Sequence, residues 1–171
     1  MKKLIIILLL LPLCSCGISN KYLVKTSYDQ FDNIARYTLT NNILAAESAE
    51  IALRHMVCLD VSKVVTPDTT KIYLIVRYYG PEYLNIQDGM SLVMLIDGKR
   101  CEFEKLGESY NVTRRGYMET VSYGIAPEQF KILASASQVQ VKLVGRDYYL
   151  DRVIHPAVLT KYQRFYEEQI K

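Results

Sequence analysis

Tryptophan is absent from the chain, histidine occurs only twice, and 171 residues include just eight glycines and five prolines. His55 and His155 stand in neither a His-Glu-x-x-His nor a Cys-x-x-Cys frame, so no metal site is expected. Glycine is too scarce for a phosphate loop or a dinucleotide fingerprint, and Gly-x-Ser-x-Gly is missing, so no cofactor is expected either. With half the residues hydrophobic and 23% charged, the chain is neither collagen-like nor disordered. Excess charge is also lacking. Twenty-one Lys and Arg face 18 Asp and Glu, and Lys2 and Lys3 sit in an amino-terminal leader. The remainder carries about +1, too little for nucleic-acid binding driven by charge. No period typical of solenoids or propellers recurs.

What is present begins with that leader. Lys2 and Lys3 precede an unbroken apolar run from Leu4 to Leu11, the pattern of a secretory signal. The run is too short to span a bilayer, which takes about 20 residues. It ends in Leu13, Cys14, Ser15, Cys16 and Gly17, which resembles the lipobox of bacterial lipoproteins: an aliphatic residue three before the modified cysteine and a small residue just before it. The resemblance implies cleavage after residue 15, a diacylglyceryl group on Cys16 and permanent attachment to a membrane through acyl chains. Cys14 fits less well, because Leu13 would then flank the cut. Gly17 in place of Asp leans toward the outer membrane. Residues 16–24 read as a lipidated end with a short tether, and 25–171 as a single domain.

That domain reads as an antiparallel β-sandwich of about six to eight strands. Ile51, Leu53, Val57, Leu59 and Val61 alternate against Glu50, Arg54 and Asp60, which predicts one strand over 51–61. Ile72, Leu74, Val76 and Tyr78 predict a second, apolar on both faces through Ile75. Asp97-Gly98 between the strands predicted over 91–96 and 99–104 predicts a hairpin in which 96 opposes 99, 94 opposes 101 and 92 opposes 103, with Leu92, Met94, Cys101 and Phe103 facing the core. Tyr117 to Ile125 and Gln138 to Val144 add strands, with Ala35 to Thr40 and Tyr22 to Thr26 as edges. Pro127 opens a short helix near 127–136, and Pro156 an amphipathic helix near 156–170. The stretch from Tyr123 to Gly145 resembles a strand, helix, strand ending found in uncharacterised bacterial envelope proteins, which implies a structural unit and no reaction.

Candidate chemistry is thin. In an oxidising envelope Cys58 and Cys101 either form a bridge or remain two separate thiols; they lie on different kinds of face, Cys101 with the apolar set and Cys58 opposite it. His55 and Cys58 fall on opposite faces of a strand, so no dyad follows. His155 before Pro156 suits a helix start. Glu119 shares a face with Tyr117, Val121 and Tyr123, and is expected to be partly buried with Arg77 or Arg114 as counter-ion. The other carboxylates, Asp60 included, read as solvated. Of fourteen tyrosines, Tyr78, Tyr79, Tyr83, Tyr148 and Tyr149 cluster near turns and are candidates for a surface that holds glycan or protein.

The expectation is a non-catalytic, membrane-anchored envelope lipoprotein of accessory or binding type, with an envelope protein or glycan as partner. The alternative is a carrier holding a lipid or saccharide in a pocket of the sandwich, which requires a cavity rather than a packed core.

Overall fold

The computed structural model describes residues 21–114 and 116–171. The chain is mainly β, and the described residues form ten strands in two antiparallel sheets. The larger sheet runs in the order β1 (Val24–Asp29), β2 (Ile34–Leu39), β3 (Met56–Val65), β4 (Thr70–Gly80), β8 (Gly116–Ile125), β7 (Lys105–Thr113). The smaller sheet runs β10 (Tyr149–Val153), β9 (Val139–Val144), β5 (Leu92–Ile96), β6 (Lys99–Phe103). Three helices complete the fold: α1 (Ala49–Arg54), α2 (Pro127–Ala134) and α3 (Pro156–Phe165), the last continuing as a π-turn over Tyr166–Ile170.

Alternation places the core. Leu59, Val76 and Val121 stand side by side across β3, β4 and β8, as do Val61, Leu74 and Tyr123. They meet Leu92, Met94, Val141 and Leu143 of the smaller sheet. The aromatic rings of α2 and α3 complete the interior, Phe130 lying 6.0 Å from Tyr162 and 6.3 Å from Phe165. Between the layers Tyr78, Tyr123, Leu92 and Met94 are fully buried.

The Asp97-Gly98 hairpin has the register expected of it, 96 opposite 99 and 92 opposite 103, with Phe103 buried and Cys101 packed against the core. Both turn residues take positive φ, 47° and 82°, as a type I′ turn requires. The Asp97 carboxylate also accepts hydrogen bonds from the Ser137 and Gln138 amides, stitching the turn to the end of α2. Pro127 and Pro156 open their helices, and His155 caps α3 by accepting from the Ala157 amide.

The predicted strand over 51–61 is corrected. Its first half is α1, capped by Ser48, whose hydroxyl accepts from the Ile51 amide; Ile51 and Leu53 are exposed on it, and the strand begins at Met56. β7 and β10 were not expected. β7 lies at an open edge with almost every residue exposed, so it lacks the apolar alternation that betrays a strand. In β10 a charged residue, Arg152, occupies the inward position after Leu150 and breaks the pattern.

Candidate functional site

The outer face of the smaller sheet carries a concavity. The registers place Val93, Lys142 and Asp151 in one row across β5, β9 and β10, and Leu95, Gln140 and Val153 in the next, with Arg100 of β6 beside Leu95. Ala45 is paired to Val153 by reciprocal backbone hydrogen bonds of 2.9 and 3.0 Å, so the segment Ala45–Glu47 forms a wall at the β10 edge. The result is a groove of about 500 Å³ open to solvent. Its floor is apolar at Val93 and Leu95, and its rim carries both signs of charge: Arg100 and Lys142 against Glu47 and Asp151.

Behind the wall lies a polar seam. Tyr78 ends its run on the core face of β4, and its hydroxyl stands 2.9 Å from His55 Nδ1 and 3.5 Å from the Tyr148 hydroxyl. Arg152, almost fully buried, donates to the carbonyl of His55 at 2.7 Å and to that of Asp151 at 2.7 Å; among the described residues no carboxylate pairs with it. Its guanidinium therefore ties the end of α1 to the edge of the smaller sheet. Burial pushes the Tyr78 hydroxyl far above its ordinary range, with Tyr148 adding to the effect. Burial also lowers His55, assisted by the neighbouring Arg152 and Arg54 charges. The His55 imidazole and the Tyr78 hydroxyl thus hydrogen-bond to each other where α1 meets β4.

The five candidate tyrosines do not converge on one surface. Tyr78 and Tyr148 belong to the buried seam. Tyr79 lies on the outer face of the larger sheet, opposite Met56 and Met118. Tyr149 sits by the groove, with the Lys142 ammonium 3.8 Å from its ring centroid. Tyr83 joins two tyrosines that sequence reasoning did not single out, Tyr110 at 5.2 Å and Tyr117 at 4.4 Å between ring centroids.

Glu119 is buried as expected, but its counter-ion is not Arg77 or Arg114. It directly opposes Tyr78, which puts Arg77 on the other face of the sheet, and its carboxylate instead accepts the backbone amides of Asn85 (2.8 Å) and Ile86 (3.0 Å). Arg77 pairs with Asp60, which is buried rather than solvated and also accepts from the Asn42 amide and side chain. The residues missed from sequence, Arg152 and Asn42 above all, depend on pairings between distant segments. The one local signal was a charge two places after Leu150.

Cys58 and Cys101 are both free, one on the outer face of the larger sheet and the other on β6 of the smaller. The two thiols stand apart in this structure, on strands of different sheets. Burial pushes the Cys58 thiol up to about 11, so it is unreactive near neutrality. Maleimide added to the folded protein is expected to label the Cys101 peptide and to reach the Cys58 peptide only in denaturant, as read by mass spectrometry. Equal labelling of both would contradict this arrangement.

Cys16 lies outside the described residues. Among those described, no helix is long and apolar enough to cross a membrane, and no cluster of three metal-ligating side chains occurs. Compared with known proteins, the chain matches no family model, no curated protein and no solved structure.

Proposed function

We propose that the chain is a non-catalytic envelope lipoprotein, held on the outer membrane through acylated Cys16, that binds an envelope protein or glycan on the exposed face of its smaller sheet. The groove over Val93 and Leu95 carries this reading: it is broad and open, apolar in its floor and polar around its rim, the anatomy of a contact surface. The fully buried side chains between the sheets favour surface binding over the carrier alternative, since a ligand enclosed by the sandwich needs a cavity of roughly 300 Å³ or more. The seam supports a non-catalytic role, because His55 and Tyr78 are used up in each other.

Two measurements on the full-length protein test the reading. Labelled palmitate is expected to enter the wild type and to be lost in Cys16→Ser; label retained in that variant would overturn the anchor. A photoreactive side chain at Leu95 in intact envelopes is expected to yield a partner adduct, whereas the same probe at Phe31, on the turn between β1 and β2, is not. Adducts from Phe31 alone would move the contact off the groove.

A further inference from the structure

The larger sheet ends in an edge that is unusually unguarded. Of the terminal strands, β1 carries Lys25 and Asp29, β6 carries Lys99, Arg100 and Glu102, and β10 is closed by Ala45. Charges and cover of this kind keep sheet edges from pairing with other chains. On β7 the irregularity between Lys105 and Gly107 and the charge of Glu108 protect only the beginning. From Ser109 to Thr113 the strand has no charge, proline or glycine.

Alternate residues of an antiparallel edge strand turn their N–H and C=O groups outward. The Lys105 amide is bonded to the Gly89 carbonyl at 2.9 Å; between Leu106 and Val112 no backbone group has a backbone partner on the open side among the described residues. Most side chains of this strand are exposed, although Glu108 accepts from the Lys105 ammonium at 2.5 Å and from the Tyr110 hydroxyl at 2.8 Å within its own copy. Glu108, Tyr110 and Val112 share one face, opposite Val121, Glu119 and Tyr117 of β8. Tyr110 is 45% exposed and Val112 is 73% exposed, yet Tyr110 is held in place by edge-on contact with Tyr83.

We propose that β7 pairs antiparallel with β7 of a second copy of this chain, about a two-fold axis through Asn111 and perpendicular to the sheet. The strand is self-complementary in this register. Tyr110 of each copy opposes Val112 of the other, an aromatic–β-branched pair made twice, and Glu108 of each opposes Arg114 of the other, an ion pair made twice. Registers centred one residue to either side lose both: a centre at Tyr110 sets Glu108 against Val112, and a centre at Val112 sets Tyr110 against Arg114. The pairing satisfies the outward backbone groups and covers the exposed Tyr110 and Val112, joining two larger sheets into one continuous sheet.

Oxidative crosslinking of the full-length chain in its own membranes tests this, with Cys101→Ser as background. Asn111→Cys, on the axis, is expected to give a disulfide-linked dimer, whereas Ser109→Cys, two residues off the axis, is not. Glu108→Arg is expected to lower the Asn111→Cys dimer yield about tenfold, because the lost pair counts twice, and adding Arg114→Glu is expected to restore it. Positions 108, 109, 111 and 114 are exposed and Cys101 is half-buried, so the Cys101→Ser background is first checked by circular dichroism to fold as the wild type does. Equal crosslinking at 109 and 111, no dimer at 111, no rescue by the charge swap, or an adduct with a different protein would each overturn the proposal.

Discussion

Glu119→Ala is expected to destabilise the folded chain by roughly 3 kcal/mol, the sum of two buried amides left without an acceptor at about 1–3 kcal/mol each. The amides are those of Asn85 and Ile86, and the Ile86 side chain is itself buried. This carboxylate does the work that a strand would do elsewhere: it holds the segment after β4 against the end of β8, where Leu84 and Ile86 plug the core. Glu119→Gln keeps one acceptor oxygen but turns an NH2 group toward the second amide, so it is expected to cost about half as much. Urea unfolding followed by circular dichroism measures both. An alanine variant within about 0.5 kcal/mol of the wild type, the range of ordinary surface substitutions, would show that the bonds contribute nothing net.

The second large effect is expected at Asp60. Asp60→Ala removes the partner of Arg77 and strands two Asn42 donors, in a region where Asn42 is fully buried. Roughly 3 kcal/mol is expected, toward the low end for a broken buried pair because the Arg77 side chain is 26% exposed and reaches water. Asp60→Asn retains an oxygen for Asn42 and avoids burying a charge, so it is expected to cost less than about 1 kcal/mol near neutrality. The sign of the pH dependence separates the two contributions. Burial raises the Asp60 carboxyl above its ordinary value despite Arg77 and the Asn42 bonds that pull it down. A raised carboxyl favours the folded state below its unfolded pKa, and that contribution fades as pH rises through the folded value. The wild type is therefore expected to gain on Asp60→Asn as the solution is acidified toward pH 4, a trend opposite to that of a carboxylate stabilised by its ion pair.

These two carboxylates mark the boundary of what was legible in the chain. Where a structural decision is local, the residues declare it: Asp97-Gly98 set the hairpin and its register, and Pro127 and Pro156 set two helix starts. The burial of Glu119 was also readable, from alternation within β8 alone. Its partner was not, because excluding Arg77 requires knowing that Tyr78 opposes Glu119. The setting of Asp60 rests on an irregularity between distant strands. Leu39 opposes Val61, but Ile43 opposes Cys58, so the pairing slips by one residue around Asn41, whose φ is +66°. The slip delivers Asn42 to Asp60 and frees the Leu59 carbonyl for the Tyr162 hydroxyl at 2.5 Å. The groove was unreadable for a related reason. Its wall comes from Ala45–Glu47 and its floor from β5, β9 and β10, and no run of neighbouring residues contains both.

Tyr22 lies just ahead of β1, and its hydroxyl donates to Glu168 at 3.0 Å while the Arg164 guanidinium sits 4.1 Å from its ring centroid. The two extremities of the described chain are thus latched to each other, and Tyr22 stands against the helix that fills the core with Phe165. A pull on the amino-terminal end meets this latch before it reaches the β1–β2 pairing. The amino-terminal approach to the sheet is thereby coupled to the last helix and, through Phe165, to the rings packed beneath it.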